Sequence, residues 1–416
     1  MMRGAGGWVI LVLICTAAAF GQGRSAGMHG AYVTLATGAE APYYNPANLA
    51  FTRGRQTTLS LLGVSGWAAD NAFGLEEYRR YNGAYLDQAA KEEILAAVAG
   101  EGLLARAGVT ARPFSIAVGP AALSWQTRAV SRLSLAEELF HLLLEGNEVD
   151  KTYDFTPAAG RAMLLSDLAF SWGYSPPFTL RGIHSISLGI NARYIIGSFY
   201  GQVERMQARA LTGATLARAE GEATLRTAQG GRGWGLDLGM TAVVNPHLRF
   251  GLFSENLASG MSWNRESERI QADFTLHATN IDRILEEDLD LEEVVMHSDT
   301  TLAIPAFSLR LPRRLHFSGS YLQKRWSLSA EWSGGETGGG DWGGAEVALG
   351  GEFSPWRFLW LRGGAGHAED LGWSSSLGFG LQMLGGRWDF AWQGVGSLHP
   401  GRVRGGLVAT SLFLIL

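Results

Sequence analysis

Large apolar and small polar positions alternate along most of this chain. Leu168, Phe170, Trp172 and Tyr174 are separated by Ala169, Ser171 and Gly173. Ile186, Leu188, Ile190, Ala192, Tyr194 and Ile196 alternate with Ser187, Gly189, Asn191 and Arg193. Trp234, Leu236, Leu238 and Met240 alternate with Gly235, Asp237 and Gly239, and the rhythm returns at Leu377, Phe379, Leu381 and at Trp388, Phe390, Trp392. A period of two predicts strands with unlike faces, because successive side chains point to opposite sides. One face here is aromatic and aliphatic. The other is Gly, Ser, Ala, Asn and isolated charges. The polar face of a soluble sandwich meets water and carries lysine and glutamate. Small residues with single charges suit the lumen of a barrel whose apolar face meets lipid. Segments of roughly 9 to 13 residues also fit a tilted strand crossing a bilayer.

The connections sharpen this picture. The pattern places strands at 56–66, 109–118, 121–130, 164–175, 183–197, 234–244, 247–257, 314–323, 326–333, 345–354, 357–366, 372–383, 387–395 and 403–415. Every second connection is tight, as at Gly119-Pro120 and Asn245-Pro246, whereas 67–108, 131–163, 198–233 and 258–313 are long. Short turns on one rim and long loops on the other predict an all-β protein. It is a closed antiparallel transmembrane β-barrel of about 14 strands, with both chain ends on the short-turn side. Helical insertions are expected in the loops at Asp87–Val98, at Ser134–Leu144 with a capping box of Ser134 and Glu137, and at Asn280–Val295. Pro305–Leu311 reads as the end of its loop.

The N-terminus fixes the compartment. Arg3 precedes an apolar run from Trp8 to Phe20, followed by polar Gly21 to Ser25. That run is short of the roughly 20 residues a spanning helix needs. A basic start, an apolar middle and small residues beyond it predict a cleaved signal peptide over 1–21. Residues 22–55 then precede the barrel, 56–416. The only cysteine, Cys15, falls in the signal segment, so the mature chain has no thiol for a disulfide or a metal. No later apolar run is long enough for a helix to span, so strands must cross the membrane, and the expected location is a bacterial outer membrane. Composition agrees. With 46% apolar and 11% aromatic residues the chain is not a disordered one, and 34 Lys+Arg against 39 Asp+Glu exclude a nucleic-acid binder.

Candidate chemistry is sparse. The nine histidines show no metal spacing, no H-E-x-x-H is present, and Gly63-Val64-Ser65-Gly66 misses the nucleophile elbow. No catalytic residue, metal or cofactor is expected. The acidic run Glu286, Glu287, Asp288, Asp290, Glu292 and Glu293 lacks a calcium-loop pattern and reads as a solvated face. Arg193, Asp237, Glu331 and Asp389 fall on the small-polar face by alternation. A basic residue facing lipid at the midplane costs about 2–4 kcal/mol, so these four should point inward and pair with each other or with the N-terminal segment. Tryptophans such as Trp125, Trp326, Trp356 and Trp373 stand near strand ends, where interfacial belts form.

Ahead of the first strand stand Gly27-Met28-His29-Gly30-Ala31 and Tyr43-Tyr44-Asn45-Pro46-Ala47-Asn48. These resemble the opening of FadL-like and PorV-like outer-membrane barrels. Gly233 to Gly239 and Ser254-Glu255-Asn256-Leu257 look like that superfamily's middle hairpin, and Glu352 to Arg362 with Gly378 to Leu381 like its late strands. The resemblance implies a fourteen-stranded barrel whose N-terminal segment folds into the lumen as a hatch carrying Gly27, Met28, Gly30, Asn45, Pro46 and Ala47. His29 departs from the pattern, which has glycine there, and the chain ends on Leu416 rather than on an aromatic residue. Two functions follow from the resemblance. One is passive uptake of a hydrophobic small molecule through the barrel. The other is a non-transporting scaffold or secretion accessory that holds a secreted or surface protein by its long loops. Outer-membrane lipid surrounds the barrel in both.

Overall fold

The computed structural model describes residues 22–51, 56–156, 158–177, 180–213, 216–280, 295–335, 344–383 and 385–416. The signal segment with Cys15, the acidic run at 286–293 and nearly all of the helix expected at Asn280–Val295 lie outside the described residues. The strands are β1 (Thr57–Asp70), β2 (Leu103–Val118), β3 (Ala121–Leu135), β4 (Lys151–Asp154), β5 (Ala159–Tyr174) and β6 (Ser185–Thr212). Next come β7 (Leu216–Val243), β8 (Leu248–Asn280), β9 (Val295–Ala303), β10 (Phe307–Leu309), β11 (Arg314–Leu322) and β12 (Trp326–Gly335). The last five are β13 (Glu346–Trp356), β14 (Leu359–Ala368), β15 (Gly372–Met383), β16 (Gly386–Val395) and β17 (Gly405–Ile415).

Leaving aside the short β4, β9 and β10, each strand pairs antiparallel with the next, and β17 returns to β1. The result is a closed barrel of 14 strands. Closure satisfies every backbone group along the wall, the condition for spanning hydrocarbon. No described helix is long and apolar enough to cross a membrane. The two faces separate as their chemistry requires. Leu168, Phe170, Trp172 and Tyr174 are exposed outward, while Asp167, Ala169 and Ser171 are buried inside. The same alternation leaves Leu188, Tyr194, Trp234, Phe317, Leu349 and Leu377 on the outer surface. An apolar belt this continuous is far larger than a soluble monomer exposes.

Three strands are much longer than the sequence pattern indicated. β6 and β7 each run 28 residues and β8 runs 33, roughly 90 Å or more of strand at 3.3 Å per residue. Residues 198–212 and 216–233 of the expected loop are therefore paired strand. β4 pairs with the far end of β6, and β9 with the far end of β8, giving a five-stranded antiparallel extension beyond the barrel. The alternation was hard to follow because the register slips near Leu164/Leu165, Val203/Arg205 and Thr227/Gln229, reversing which side chains face out. Above the lipid belt both faces also meet water, so the aromatic signal stops. Phe307–Leu309, expected in a loop, pairs as β10 with Met261–Trp263 on the prolonged β8.

Among the described residues there are four short helices. Those between β1 and β2 are α2 (Leu75–Tyr81) and α3 (Gln88–Val98), after α1 (Gly23–Gly27) at the N-terminus. Asp87 caps α3 by accepting from the Ala90 amide at 2.9 Å. The fourth, α4 (Glu137–Glu145), begins later than the capping box suggested. Ser134 is still in β3, paired with Leu104 and Ala159, and Ala136 takes the cap position. Sheet pairing on both sides of Ser134 outweighs one side-chain cap. Residues 22–51 are packed inside the barrel. α1 lies against β14 to β17, a 3-10 turn at Gly38–Tyr43 against β1 to β3, and a second at Pro46–Phe51 against β5 to β7.

Candidate functional site

The inner segment rests against the lumen wall by close backbone contact. Gly173, Gly189 and Gly239 are direct partners across β5, β6 and β7 and form a groove in the wall. The Pro46-Ala47 turn lies in it: a Cβ on Gly189 would stand 2.6 Å from the Ala47 Cα, and one on Gly173 2.7 Å from the Ala50 amide nitrogen. Gly350 and Gly364, partners across β13 and β14, form a second groove under Met28 and His29. A Cβ on Gly364 would fall 2.7 Å from the His29 Cβ. The small-residue lumen face thus has a mechanical reason. Only glycine lets two backbones approach this closely.

Polar pairs fix the turn in its groove. The Asn45 side chain accepts from the Ala47 amide at 3.0 Å, the Asx turn that the Asn-Pro sequence favours. Its amide group donates to Thr241 Oγ1 at 3.0 Å and to the Met240 carbonyl at 3.2 Å. Thr241 in turn donates to Asn48 at 2.7 Å, while the Asn48 amide bonds the Val33 and Ala36 carbonyls. Met28, Asn45, Ala47 and Asn48 are all buried. Gly27 holds Ser376 through its carbonyl at 3.1 Å, and Gly30 takes the left-handed φ of 80°. Pro46 opens the second 3-10 turn.

The four inward charges stand in two networks and one cradle. Arg193 bridges Asp237 at 2.9 Å and Asp167 at 3.5 Å, and also bonds Asn256. Asp389 meets Arg362 and Arg387, each at 2.7 Å. That second network continues through Glu352 to Arg24 on α1, and through Arg387 to Glu40 at 3.2 Å. It holds three arginines and three carboxylates, so it is electrically balanced and ties the inner segment to β13, β14 and β16. Glu331 instead accepts the backbone amides of Tyr32 and Val33 at 3.0 and 3.2 Å and faces His316 at 3.0 Å. Glu352, Arg362, Arg387 and their inner-segment partners Arg24 and Glu40 escaped the sequence reading. The signal was present for the wall residues: Arg387 and Asp389 are two apart on one strand, and Glu352 and Arg362 are direct cross-strand partners.

His29 is the anomaly of the segment. Its φ is 54°, a left-handed conformation natural to the glycine that the resemblance leads one to expect there. The ring is buried, with Nε2 at 2.7 Å from Ser374 Oγ and 3.7 Å from a Glu346 oxygen. Burial lowers its pKa to about 4, keeping it neutral. Burial likewise raises Tyr43 to about 12, against the opposing effect of Arg112 stacked 3.9 Å from its ring centroid.

Two cavities lie on the long-loop side of this plug. The outer one, about 230 Å³, is walled by Val130, Met163, Leu165 and Leu311, with Arg128 and Glu255 at its inner end. The inner one, about 280 Å³, has His29, Val33 and Tyr43 as its floor and Glu331, His316 and Glu346 among its walls. The apolar lining of the outer cavity continues into a buried cluster of Met163, Leu165, Ile195, Tyr200, Met261 and Trp263. Among the described residues no group of His, Cys, Asp and Glu is arranged to hold a metal ion.

This architecture matches solved channels. The CymD monoaromatic hydrocarbon channel superposes with a TM-score of 0.52 at 12% identity, covering 96% of this chain and 98% of that one. The toluene transporter TodX of P. putida gives 0.51 at 12% identity, covering 96% and 99%. The Pseudomonas aeruginosa FadL homologue gives 0.50 at 13% identity, covering 95% and 99%. The fold is that of the FadL-type channels. No family model matches the chain, and no curated protein is similar to it in sequence. The FadL-like likeness first seen in residues 27–51 therefore extends, as a fold, over nearly the whole chain. The toluene transporters TodX and TbuX and the CymD channel are transport proteins, not enzymes.

Proposed function

We propose that the protein is an outer-membrane channel for passive uptake of a small hydrophobic molecule, with residues 22–51 as its hatch. The observation that carries the reading is the apolar cavity of about 230 Å³ suspended above a plugged lumen, at the end of the barrel where the long loops lie. Burying apolar surface there is worth roughly 25 cal/mol per Å² removed from water, enough to draw a dilute apolar solute out of solution. The solved channels of the same fold, described as carrying toluene and monoaromatic hydrocarbons, support this substrate class. Passage then requires displacement of the hatch from its glycine grooves, since the segment fills the lumen beneath the cavities.

Native mass spectrometry of the protein extracted from its own membrane in mild detergent tests the reading. A bound lipid-like compound of a few hundred daltons at most is the expected result. The scaffold reading draws on the five-stranded extension, a large surface beyond the barrel that a channel does not need. A second protein chain at fixed stoichiometry, with no small molecule, would favour it and overturn the channel.

A further inference from the structure

We infer that Glu255 sets the chemistry of the solute, favouring an apolar molecule with a hydrogen-bond-donating or cationic end and disfavouring a carboxylate. The inference rests on the channel reading above and names the ligand class of the same lumen. Glu255 lines both the outer apolar cavity and the inner polar one, and a third small cavity of about 40 Å³ beside Tyr43. It is the residue at which a solute leaves apolar walls and meets polar ones.

Its placement is built into the strand. Opposite Asp237, β8 carries a bulge, so that Leu236 pairs with Ala258 and Leu238 with Ser254. Asn256 takes a left-handed φ of 53° there. The bulge turns Asn256 into the lumen directly after Glu255, where strict alternation would send it to lipid. Asn256 spends its side chain on Arg193 and on the Pro312 carbonyl at 2.9 Å. Glu255 is left facing the cavities.

Unused hydrogen-bonding capacity decides the sign. One Glu255 oxygen accepts from Arg128 at 3.0 Å, and among the described residues the other has no hydrogen-bond partner. The side chain is 27% exposed and lines the lumen cavities. The neighbouring cations are already engaged. Arg128 also holds Asp167 at 2.8 Å, and Arg314 holds Ser333 at 2.7 Å and Glu346 at 3.4 Å. Arg313 at the rim is not free either. What the junction offers beside these paired guanidiniums is a carboxylate oxygen, an acceptor only. An alcohol, phenol or ammonium group satisfies it, whereas a second carboxylate meets like charge at short range. The adjoining walls of Val130, Met163 and Leu165 take the apolar part.

Benzylamine, benzyl alcohol, benzoate and toluene share one ring size and differ in the end they present. Binding of each to the full chain in amphipol at pH 7, by calorimetry, tests the inference. Wild type is expected to bind benzylamine at least about tenfold tighter than benzoate, with benzyl alcohol between. Glu255→Gln should shrink that ratio to about threefold or less, while Glu255→Asp should keep it. Arg128 retains Asp167 in the glutamine variant, and the wild-type ratio stands whether or not that variant folds. Benzoate bound as tightly as benzylamine by wild type, or a ratio untouched in Glu255→Gln, overturns the inference. Toluene uptake by producing cells with no such ratio defeats the inference alone. The ratio without any uptake defeats the channel reading alone, and no binding of any of the four defeats both.

Discussion

Gly189→Ala puts the seating of the hatch to a direct test. The added methyl carbon would lie 2.6 Å from the Ala47 Cα, and closer still to the Pro46-Ala47 peptide, where ordinary contact begins at 3.4 Å. β6 cannot yield, because Gly189 is held by Gly173 on one side and Gly239 on the other. The hatch must retreat by about 1 Å. Overpacking of this kind costs typically 1–3 kcal/mol. The retreat also stretches the Asn45 bonds to Thr241 and Met240 and the Thr241 bond to Asn48, each worth about 1 kcal/mol. Together the loss is about 4–6 kcal/mol of docking energy. The barrel itself keeps its ladder. Single-protein conductance in planar bilayers should therefore show frequent openings in Gly189→Ala, against a nearly closed wild type. Gly66→Ala is the control, since a Cβ there meets nothing within 4 Å. If Gly189→Ala conducts like Gly66→Ala, the hatch does not rest in the glycine groove and the account of the small-residue face is wrong.

Other outcomes follow from the same geometry. Arg362→Met should lower stability by about 3–5 kcal/mol, read as a fall in melting temperature, because it leaves Glu352 and Asp389 buried with fewer partners. Acid should loosen the hatch through His29. Its pKa is about 4 in the folded chain against roughly 6.5 unfolded, so between those values the unfolded state binds more proton and stability falls as pH falls. The loss reaches about 3 kcal/mol below pH 4 and is absent above about 6.5. His29→Asn, which tolerates the left-handed φ, should flatten the wild-type decline in melting temperature between pH 7 and 4.5. Asn45→Ala removes the Asx turn and both bonds to β7, and should raise conductance.

The barrel was legible because a bilayer imposes one rule on every wall strand. Leu168 to Tyr174 and Trp234 to Met240 must alternate or the strand cannot sit between lipid and lumen. Beyond the bilayer the rule lapses. Residues 198–233 lost the aromatic signal, and the register slips near Val203 and Thr227 reversed the phase, so long strands read as a loop. Asn45, Pro46 and Ala47 could be placed in the lumen by resemblance. What holds them could not, because Gly189 and Gly239 look like any small residue until the chain is folded against them. The inward placing of Arg193, Asp237, Glu331 and Asp389 follows from the cost of a charge in lipid, but the wider network around Asp389 draws Arg24, Glu40 and Arg362 from distant segments. The bulge that aims Glu255 and Asn256 has no sequence mark beyond the Ser254 to Leu257 motif itself.

Uptake by whole cells tests the central claim most directly, because a lipopolysaccharide-coated outer membrane resists hydrophobic solutes that a simple phospholipid vesicle lets through. Labelled toluene would be presented to cells producing the full chain and to otherwise identical cells lacking it. The account predicts uptake several-fold faster with the protein present. Equal rates in the two strains, with the barrel verified in the outer membrane, would contradict it.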